Sequence, residues 1–323
     1  MARLTKATLF EAMLRLLPPL CFTAALLCSC GTPDAASSAA PDTETAAASQ
    51  LPDRLDIHGH RGARGLLPEN TIPGFVLALR EGADVLEMDL CISADGQVIV
   101  SHEPWMSHNI CRKPDGNDIR ETEEQSFNLH ALTAGQIAEF DCGMRPHPDF
   151  PEQRHLPAHK PTLGEVVHVI ETVPLLDGAP VRYNLELKHR ADWEPTFCPQ
   201  AAAFARMVIA EVNRLGIAER TILQSFSAPM LEAIHAQAPD MATAWLVNTA
   251  GTADEQLAKL SFQPEVYSPK WTLLDAETVH DLQSRGIQVI PWTVNEGADL
   301  FAMMQMGVDG IITDHPDRLY DMR

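Results

Sequence analysis

From Leu55 onward, the chain alternates between short apolar runs and longer amphipathic stretches. Short apolar runs are typical of buried strands, whereas apolar positions that recur every three or four residues are typical of helices. The runs that predict strands are Asp56–His60, Val85–Cys91, Val181–Lys188, Thr221–Ser225, Ala242–Val247, Val266–Ser268, Gln288–Val294 and Gly310–Thr313. The stretches that predict helices include Ile72–Glu81, Leu163–Thr172, Cys198–Leu215, Ala276–Arg285 and Gly297–Met306.

This alternation predicts an α/β protein in which parallel strands are joined by helices. The number of strand candidates and the length of residues 54–323 fit a (β/α)₈ TIM barrel. A doubly wound open sheet is the main rival, but it usually has fewer strands for its helices.

The run Gln97–His102 does not fit a purely parallel arrangement, because it follows the second strand after only Asp95-Gly96. Such a pair between alternating runs predicts a β-hairpin. If Asp95 and Gly96 are the two turn residues, the register places Asp89 opposite His102.

Residues 103–161 follow this hairpin and lack a clear periodicity, with many Pro, His, Asp and Glu residues. Loops of this length are usually lids or binding elements. We therefore expect a loop-rich insertion over one end of the barrel, after the hairpin at the C-terminal end of the second strand.

The N-terminal segment is expected to lie outside the fold. Residues 1–29 combine basic residues with the apolar stretch Leu16–Cys28, which is too short to span a bilayer comfortably and is typical of an export signal. The sequence Leu27–Gly31 resembles a lipoprotein lipobox, so cleavage before Cys30 would leave that thiol to carry a lipid. Residues 30–53 predict a flexible tether. We expect a lipid-anchored protein facing the periplasm or cell exterior, with a soluble secreted protein as the alternative.

Composition narrows the possible partners. The formal net charge of −20 argues against nucleic acid as a partner, because phosphate backbones demand basic surfaces.

An exported protein can oxidise its cysteines, and the absence of a CxxC motif argues against a zinc or redox site. The four cysteines after residue 54 allow three disulfide pairings, which the sequence leaves open. A disulfide between Cys111 and Cys142 would cross-link one loop region. The cysteines of the body are Cys91, Cys111, Cys142 and Cys198.

Carboxylates occur where barrel strands normally carry aliphatic residues. Strand alternation places Glu87 and Asp89 on one face, and likewise Glu186 and Lys188. Buried carboxylates are unfavourable unless they are paired or bind a cation. Three of them facing one another indicate a hard divalent ion, Ca²⁺ or Mg²⁺. The alternative is a structural salt-bridge network with Lys188 and Arg61.

The stretch HGHRGARGLLPENT, residues 58–71, predicts an anion-binding turn. His60 ends the first strand, and Arg61 can grip phosphate oxygens with two parallel hydrogen bonds. Gly62 and Gly65 permit a ligand to approach the backbone closely. His58 is expected to be a structural residue of the barrel.

The motifs HRGARGLLPENT, EMDLCISADGQVIVSHE, NLELK, PWTVNE and GIITDHP together resemble the glycerophosphodiester phosphodiesterase family. The resemblance runs from about His58 to Pro316. It implies a barrel enzyme that hydrolyses small-molecule glycerophosphodiesters to sn-glycerol 3-phosphate and an alcohol. It also implies metal dependence, with attack first by the neighbouring glycerol hydroxyl and then by water.

The resemblance also implies roles for individual side chains. His60 and His102 match the family's acid/base pair. Glu103 is a departure from the family pattern, because the family usually has Asp after the second histidine. The remaining matches are Glu87, Asp89 and Glu186 as metal ligands, Arg61 and Lys188 as phosphate contacts, Glu69 as a support for the metal or His60, and Trp292 beside the substrate.

Two other functions remain open. A phospholipase C- or D-like enzyme acting on membrane lipids would need an apolar rim, whereas residues 103–161 are rich in charge and poor in aromatic residues. A non-catalytic surface lipoprotein would have no reason to keep buried carboxylates. The sequence predicts no oligomeric state.

Overall fold

The computed structural model describes residues 54–175 and 178–322. Its strands agree with the predicted runs to within a few residues at most positions. The strands are β1 (Asp56–Gly59), β2 (Val85–Ile92), β3 (Val98–Val100), β4 (Arg182–Leu187), β5 (Thr221–Ser225), β6 (Thr243–Val247), β7 (Val266–Pro269), β8 (Gln288–Val289) and β9 (Gly310–Thr313).

The parallel strands form a nearly closed barrel in the order β8-β7-β6-β5-β4-β2-β1-β9, with β3 antiparallel beside β2. Between β8 and β9, backbone hydrogen bonds replace a regular ladder. Asp309 N donates to Val289 O at 3.0 Å and Ile312 N donates to Pro291 O at 2.9 Å. The predicted (β/α)₈ barrel is confirmed, and an open doubly wound sheet is excluded.

Helices cover the outside of the barrel and pack apolar residues against the strands. Several begin with side-chain caps, such as Thr162, whose hydroxyl accepts from Glu165 N while the Glu165 carboxylate accepts from Thr162 N. The helices are α1 (Ile72–Arg80), α2 (Ala134–Ile137), α3 (Leu163–Ile170), α4 (Ala201–Arg214), α5 (Ala228–Gln237), α6 (Ala253–Leu257), α7 (Ala276–Ser284), α8 (Gly297–Met306) and α9 (Pro316–Tyr320).

One predicted strand is much shorter than expected. The run Gln288–Val294 is regular only in β8, because Pro291 has no backbone N–H to donate to a ladder. Trp292 N still donates to Pro269 O at 3.0 Å, so the segment continues along β7 without regular pairing.

The predicted register of the hairpin is wrong by one residue. Leu90 pairs with Val100, so Asp89 lies opposite Ser101 rather than His102, and Ser101 N donates to Asp89 O at 2.8 Å. The cause is an extra residue in the turn: Gly96 adopts a left-handed conformation with φ of +76° and its N–H bonds to Ser93 O. A left-handed glycine after a type I turn is typical of three-residue hairpin loops.

Residues of the insertion 103–161 form a small apolar cluster with Cys91 of β2 and Ile99 of β3, and Cys111 and Cys142 form a disulfide. Cys91 and Cys198 are buried free thiols. The insertion is fastened to the loop after β1, since Gln153 Nε2 donates to Arg64 O at 2.6 Å.

No helix within the described ranges is both long enough and apolar enough to cross a membrane. The predicted signal peptide, residues 1–29, and the tether, residues 30–53, lie outside the described residues, as does Cys30.

Candidate functional site

Three buried carboxylates meet at the C-terminal ends of adjacent barrel strands. Glu87 and Asp89 point inward from β2, and Asp89 pairs in register with Glu186 on β4. One oxygen from each lies within 4.8 Å of the others. The strand alternation expected from the sequence therefore brings these groups together as predicted.

Two cations face this cluster. Lys188 Nζ lies 2.8 Å from Glu186 Oε1 and 3.7 Å from Asp89 Oδ1, and Arg61 Nε lies 3.2 Å from Asp89 Oδ2. The expected salt-bridge network thus exists, but it leaves three carboxylates against two cations. A divalent ion would reverse this imbalance and supply the positive charge that buried carboxylates require.

Glu87 shows where positive charge is most needed. Its oxygens accept from Arg61 N at 2.8 Å and Gln224 Nε2 at 2.9 Å, both uncharged donors. Burial, followed by the charges of Asp89 and Glu186, raises the pKa of Glu87 well above its usual value. Burial also raises the pKa of Glu186, although Lys188 opposes the shift. The donor set is all oxygen, as Ca²⁺ and Mg²⁺ prefer.

Asp89 is held by the loop between β1 and α1. Asn70 Nδ2 donates to Asp89 Oδ2 at 2.8 Å, and Asn70 Oδ1 accepts from Asp89 N at 3.3 Å. Burial alone would raise the pKa of Asp89, but the charges of Arg61, His102 and Lys188, together with the Asn70 hydrogen bond, outweigh it and hold this pKa well below its usual value. Asp89 Oδ1 has no hydrogen-bond partner among the residues that the structure describes.

His60 is oriented by Asp314, a residue that the sequence did not single out. His60 Nδ1 lies 2.7 Å from Asp314 Oδ1, while Arg64 and Asn295 also donate to that carboxylate. Burial lowers the pKa of His60 to about 4, despite the opposing charge of Asp314. The imidazole is therefore neutral at pH 7, with Nδ1–H donating to Asp314 and Nε2 left as an acceptor.

His102 lies just beyond the hairpin and is oriented by its own neighbour. His102 Nδ1 is 2.7 Å from Glu103 Oε1, and the His102 side chain is more exposed than that of His60, at 30% against 12%. Burial alone would raise the pKa of Glu103, but the hydrogen bond with His102 and its charge lower it. Glu103 thus lies within hydrogen-bond distance of the His102 imidazole, although the family usually has aspartate at this position.

Both histidines line one cavity of about 330 Å³ at the mouth of the barrel. Trp292 forms part of its wall, fixed by an indole hydrogen bond to Ser268 O and an edge-to-face contact with Phe226. The predicted site residues lining this cavity are His60, Arg61, Glu87, His102, Glu186, Lys188 and Trp292.

Glu69 contacts two arginine side chains at the edge of the cavity. Its oxygens lie 3.0 Å from Arg61 and 3.5 Å from Arg64, with His147 of the insertion at 3.6 Å. Its contacts therefore fix the guanidinium groups at the edge of the cavity, and its expected support of the metal or His60 stays a prediction.

His58 lies deeper in the barrel, fully buried, with Nδ1 3.4 Å from the Asn184 amide nitrogen. It does not line the cavity, as expected of a structural residue. The residues that sequence reasoning missed are Asn70, Gln224 and Asp314. Asn70 and Asp314 stand inside the motifs PENT and TDHP, but only the fold shows what they contact.

Comparison with known proteins agrees with this geometry. The model of the glycerophosphoryl diester phosphodiesterase family matches residues 60–318. A glycerophosphodiester phosphodiesterase of Bacillus subtilis (strain 168) is 27% identical over 277 residues, covering 84% of this chain and 87% of the relative.

Solved structures share the fold. A crystal structure from Silicibacter pomeroyi DSS-3 has a TM-score of 0.73 at 30% identity, covering 83% of this chain and 94% of the other. The structure of an Oleispira antarctica phosphodiesterase in complex with the product sn-glycerol-3-phosphate has a TM-score of 0.65 at 21% identity, covering 84% and 97%. The family match spans most of the chain and includes the cavity with its paired histidines and carboxylates. The chain therefore belongs to the glycerophosphoryl diester phosphodiesterase family, whose members are phosphoric diester hydrolases.

Proposed function

We propose that the protein hydrolyses glycerophosphodiesters to sn-glycerol 3-phosphate and an alcohol, using a divalent cation and the pair His60 and His102. The observation that carries the proposal is that two carboxylate-backed imidazoles line one cavity together with Glu87 and Glu186, which form a cluster of three carboxylates with Asp89. Such a site can neutralise a phosphodiester and transfer protons on either side of it.

The cation would be held by Glu87, Asp89 and Glu186. The fit rests on the excess of carboxylates over cations, the raised pKa values of Glu87 and Glu186, and Asp89 Oδ1, which accepts no hydrogen bond from the described residues. When bound, a divalent ion would neutralise phosphate oxygens and polarise the phosphorus. Arg61 and Lys188 would contact the remaining phosphate oxygens from the rim of the cluster.

His60 acts as the base in the first step, because it is neutral and its Nε2 is a free acceptor. It takes the proton of the glycerol hydroxyl next to the phosphate. The oxygen of that hydroxyl bonds to phosphorus while the bond from phosphorus to the alcohol oxygen breaks. Protonated His102, whose imidazolium Glu103 stabilises, gives its proton to the departing alcohol.

The second step reverses these roles. His102, now neutral, takes a proton from water, whose oxygen bonds to phosphorus and opens the cyclic phosphate. The ring oxygen that leaves phosphorus recovers a proton from His60. Both histidines return to their starting states, and sn-glycerol 3-phosphate is released.

The proposal is tested by incubating the protein with glycerophosphocholine, with and without EDTA, and measuring sn-glycerol 3-phosphate. We expect turnover that EDTA abolishes and that excess Ca²⁺ or Mg²⁺ restores, while His60→Gln and His102→Gln are inactive but folded. Activity confined to phospholipid bilayers would favour the phospholipase alternative. That alternative is tested because a human lysophospholipase D is 22% identical to this chain over 299 residues. Inactivity on both substrates would favour a binding lipoprotein.

We also propose that the protein is exported, cleaved before Cys30 and lipid-anchored, with residues 30–53 as a tether. The disulfide between Cys111 and Cys142 supports an oxidising compartment. Mass spectrometry of the mature N-terminus should find a lipid on Cys30, and Cys30→Ala should move the protein from the membrane to the soluble fraction. A wild-type protein that is soluble and carries no lipid would contradict this proposal.

A further inference from the structure

Gln224 continues the row of oxygen-bearing side chains around the barrel. On β5 it pairs in register with Glu186 on β4, which itself pairs with Asp89 on β2. Gln224 is 1% exposed and lines the same cavity as Glu87 and Glu186. Asp89, Glu186 and Gln224 therefore lie at the same level on three consecutive parallel strands, and each carries a side-chain oxygen that can bind a cation.

The amide of Gln224 reaches the centre of the cluster. Its Nε2 donates to Glu87 Oε1 at 2.9 Å, although β4 lies between the strands that carry these two residues. The contact fixes Glu87 and also determines where the rest of the amide lies. Gln224 is thus anchored beside the carboxylates, although it lies 137 residues from Glu87 along the chain.

The amide oxygen of Gln224 is the group left without a partner. It is buried and accepts no hydrogen bond from any residue in the described part of the chain. The amide of Asn70, by contrast, has both its nitrogen and its oxygen bonded to Asp89. An unsatisfied buried acceptor destabilises the fold, so an oxygen held here is expected to bind a ligand.

We propose that Gln224 Oε1 is a fourth protein ligand of the cation held by Glu87, Asp89 and Glu186. The assignment rests on the metal site of the proposed function. Amide oxygens are regular ligands of Ca²⁺, which takes six to eight oxygens, whereas Mg²⁺ usually keeps several waters. A neutral ligand also adds no negative charge to a cluster that already holds more carboxylates than cations. The fourth ligand therefore favours Ca²⁺ over Mg²⁺.

The test measures coordinated water directly. Terbium(III), a hard ion with Ca²⁺-like preferences, is bound to the protein, and its luminescence lifetimes in H₂O and D₂O give the number of bound waters. Gln224→Met has a similar shape but a soft sulfur, and Gln224→Glu keeps an oxygen while losing the amide donor. Asn184→Leu is the control, since Asn184 is another buried amide with an unpartnered oxygen but does not line the cavity.

We expect Gln224→Met to carry one more bound water than wild type and to bind Ca²⁺ about 10–100-fold more weakly by calorimetry, with a smaller loss for Mg²⁺. Gln224→Glu and Asn184→Leu should keep the wild-type number of waters. Circular dichroism checks that each variant is folded, and Gln224→Glu carries the comparison if Gln224→Met does not fold.

An unchanged number of bound waters in Gln224→Met, with weaker binding alone, would mean that Gln224 acts only by holding Glu87, and the assignment would be overturned. A number of bound waters in Gln224→Glu that differs from wild type would also overturn the assignment. A wild-type protein that binds neither terbium nor Ca²⁺ would instead overturn the metal site on which the proposed function rests. The two failures are therefore distinguishable.

Discussion

Asp314 Oδ1 lies 2.7 Å from His60 Nδ1, and this contact joins the two barrel strands that are farthest apart in the chain. It follows from strand pairing, because Gly59 of β1 is opposite Thr313 of β9, and His60 and Asp314 are the residues that follow these two strand ends. Burial alone would raise the pKa of Asp314, but the contacts with His60 and Arg64 hold it well below its usual value. The carboxylate is therefore ionised and accepts the Nδ1 proton.

Asp314→Asn should lower kcat about 10²–10⁴-fold while changing KM little. An asparagine amide can donate to Nδ1, which would place the imidazole proton on Nε2 and remove the acceptor that the reaction needs. Steady-state kinetics on glycerophosphocholine measure the effect, with circular dichroism as the check on folding. An unchanged kcat would show that Asp314 does not select the tautomer of His60.

Glu103→Gln is the matched change at the other histidine. His102 is more exposed than His60, and water can replace part of what Glu103 provides. We therefore expect a smaller loss of kcat, about 10-fold, and partial recovery in Glu103→Asp, which restores the family's usual residue. A loss in Glu103→Gln larger than that in Asp314→Asn would contradict this ranking.

Strand periodicity was sufficient to predict the barrel and the inward direction of Glu87, Asp89 and Glu186, because both depend only on local alternation. It could not predict the partner of His60, which is 254 residues away along the chain and is set by closure of the barrel. The hairpin register was also beyond periodicity, since one left-handed glycine added a residue to the turn. Local patterns thus predict which face a side chain occupies, whereas contacts across the barrel require its closure.

Glu186→Ala should abolish turnover without lowering the melting temperature of the metal-free protein. The substitution leaves Asp89 and Glu87 against Arg61 and Lys188, which balances the buried charges, and Lys188 still lies 3.7 Å from Asp89 Oδ1. We expect the metal-free variant to melt within about 2 °C of wild type or higher, by calorimetry in EDTA. Added Ca²⁺ should raise the melting temperature of wild type but not of the variant.

The same measurement separates the metal site from the salt-bridge alternative. If Glu186 served mainly to pair with Lys188, its removal would take away the shorter ion pair of a buried cation and leave only the 3.7 Å contact with Asp89. Breaking a buried pair in this way is destabilising by about 3–5 kcal/mol. A drop in melting temperature of more than about 6 °C in EDTA would therefore favour the structural network.

The disulfide should stabilise the insertion more than the barrel. Cys111 and Cys142 are 31 residues apart, and closing a loop of that length contributes about 3–4 kcal/mol by chain entropy. In the double variant Cys111→Ala and Cys142→Ala, we expect faster proteolysis within residues 103–161 and a higher KM, because Gln153 and His147 contact Arg64 and Glu69 from the insertion. Cleavage first within the barrel would contradict a local role.

Acid should destabilise the fold through His58, which takes no part in the proposed chemistry. Burial, with a smaller contribution from Arg182 and against the charge of Asp56, lowers the pKa of His58 from 6.5 to about 4. Above pH 6.5 the imidazole is neutral in both folded and unfolded chains. Below pH 6.5, His58 binds a proton in the unfolded chain but stays neutral in the folded protein. The free energy of unfolding therefore decreases as the pH falls, until the folded protein also binds the proton at about pH 4.

The expected size of this effect is about 2 kcal/mol between pH 7 and pH 5, at 1.36 kcal/mol per pH unit below the unfolded pKa. His58→Gln removes the titrating group, so its free energy of unfolding should decrease by about that much less over the same range. Urea unfolding at pH 7, 6 and 5 measures both proteins, and activity at pH 7 checks that the site is intact. Parallel decreases in the two proteins would show that His58 is not the group responsible, because only a titrating imidazole at this position can make the two pH dependences differ.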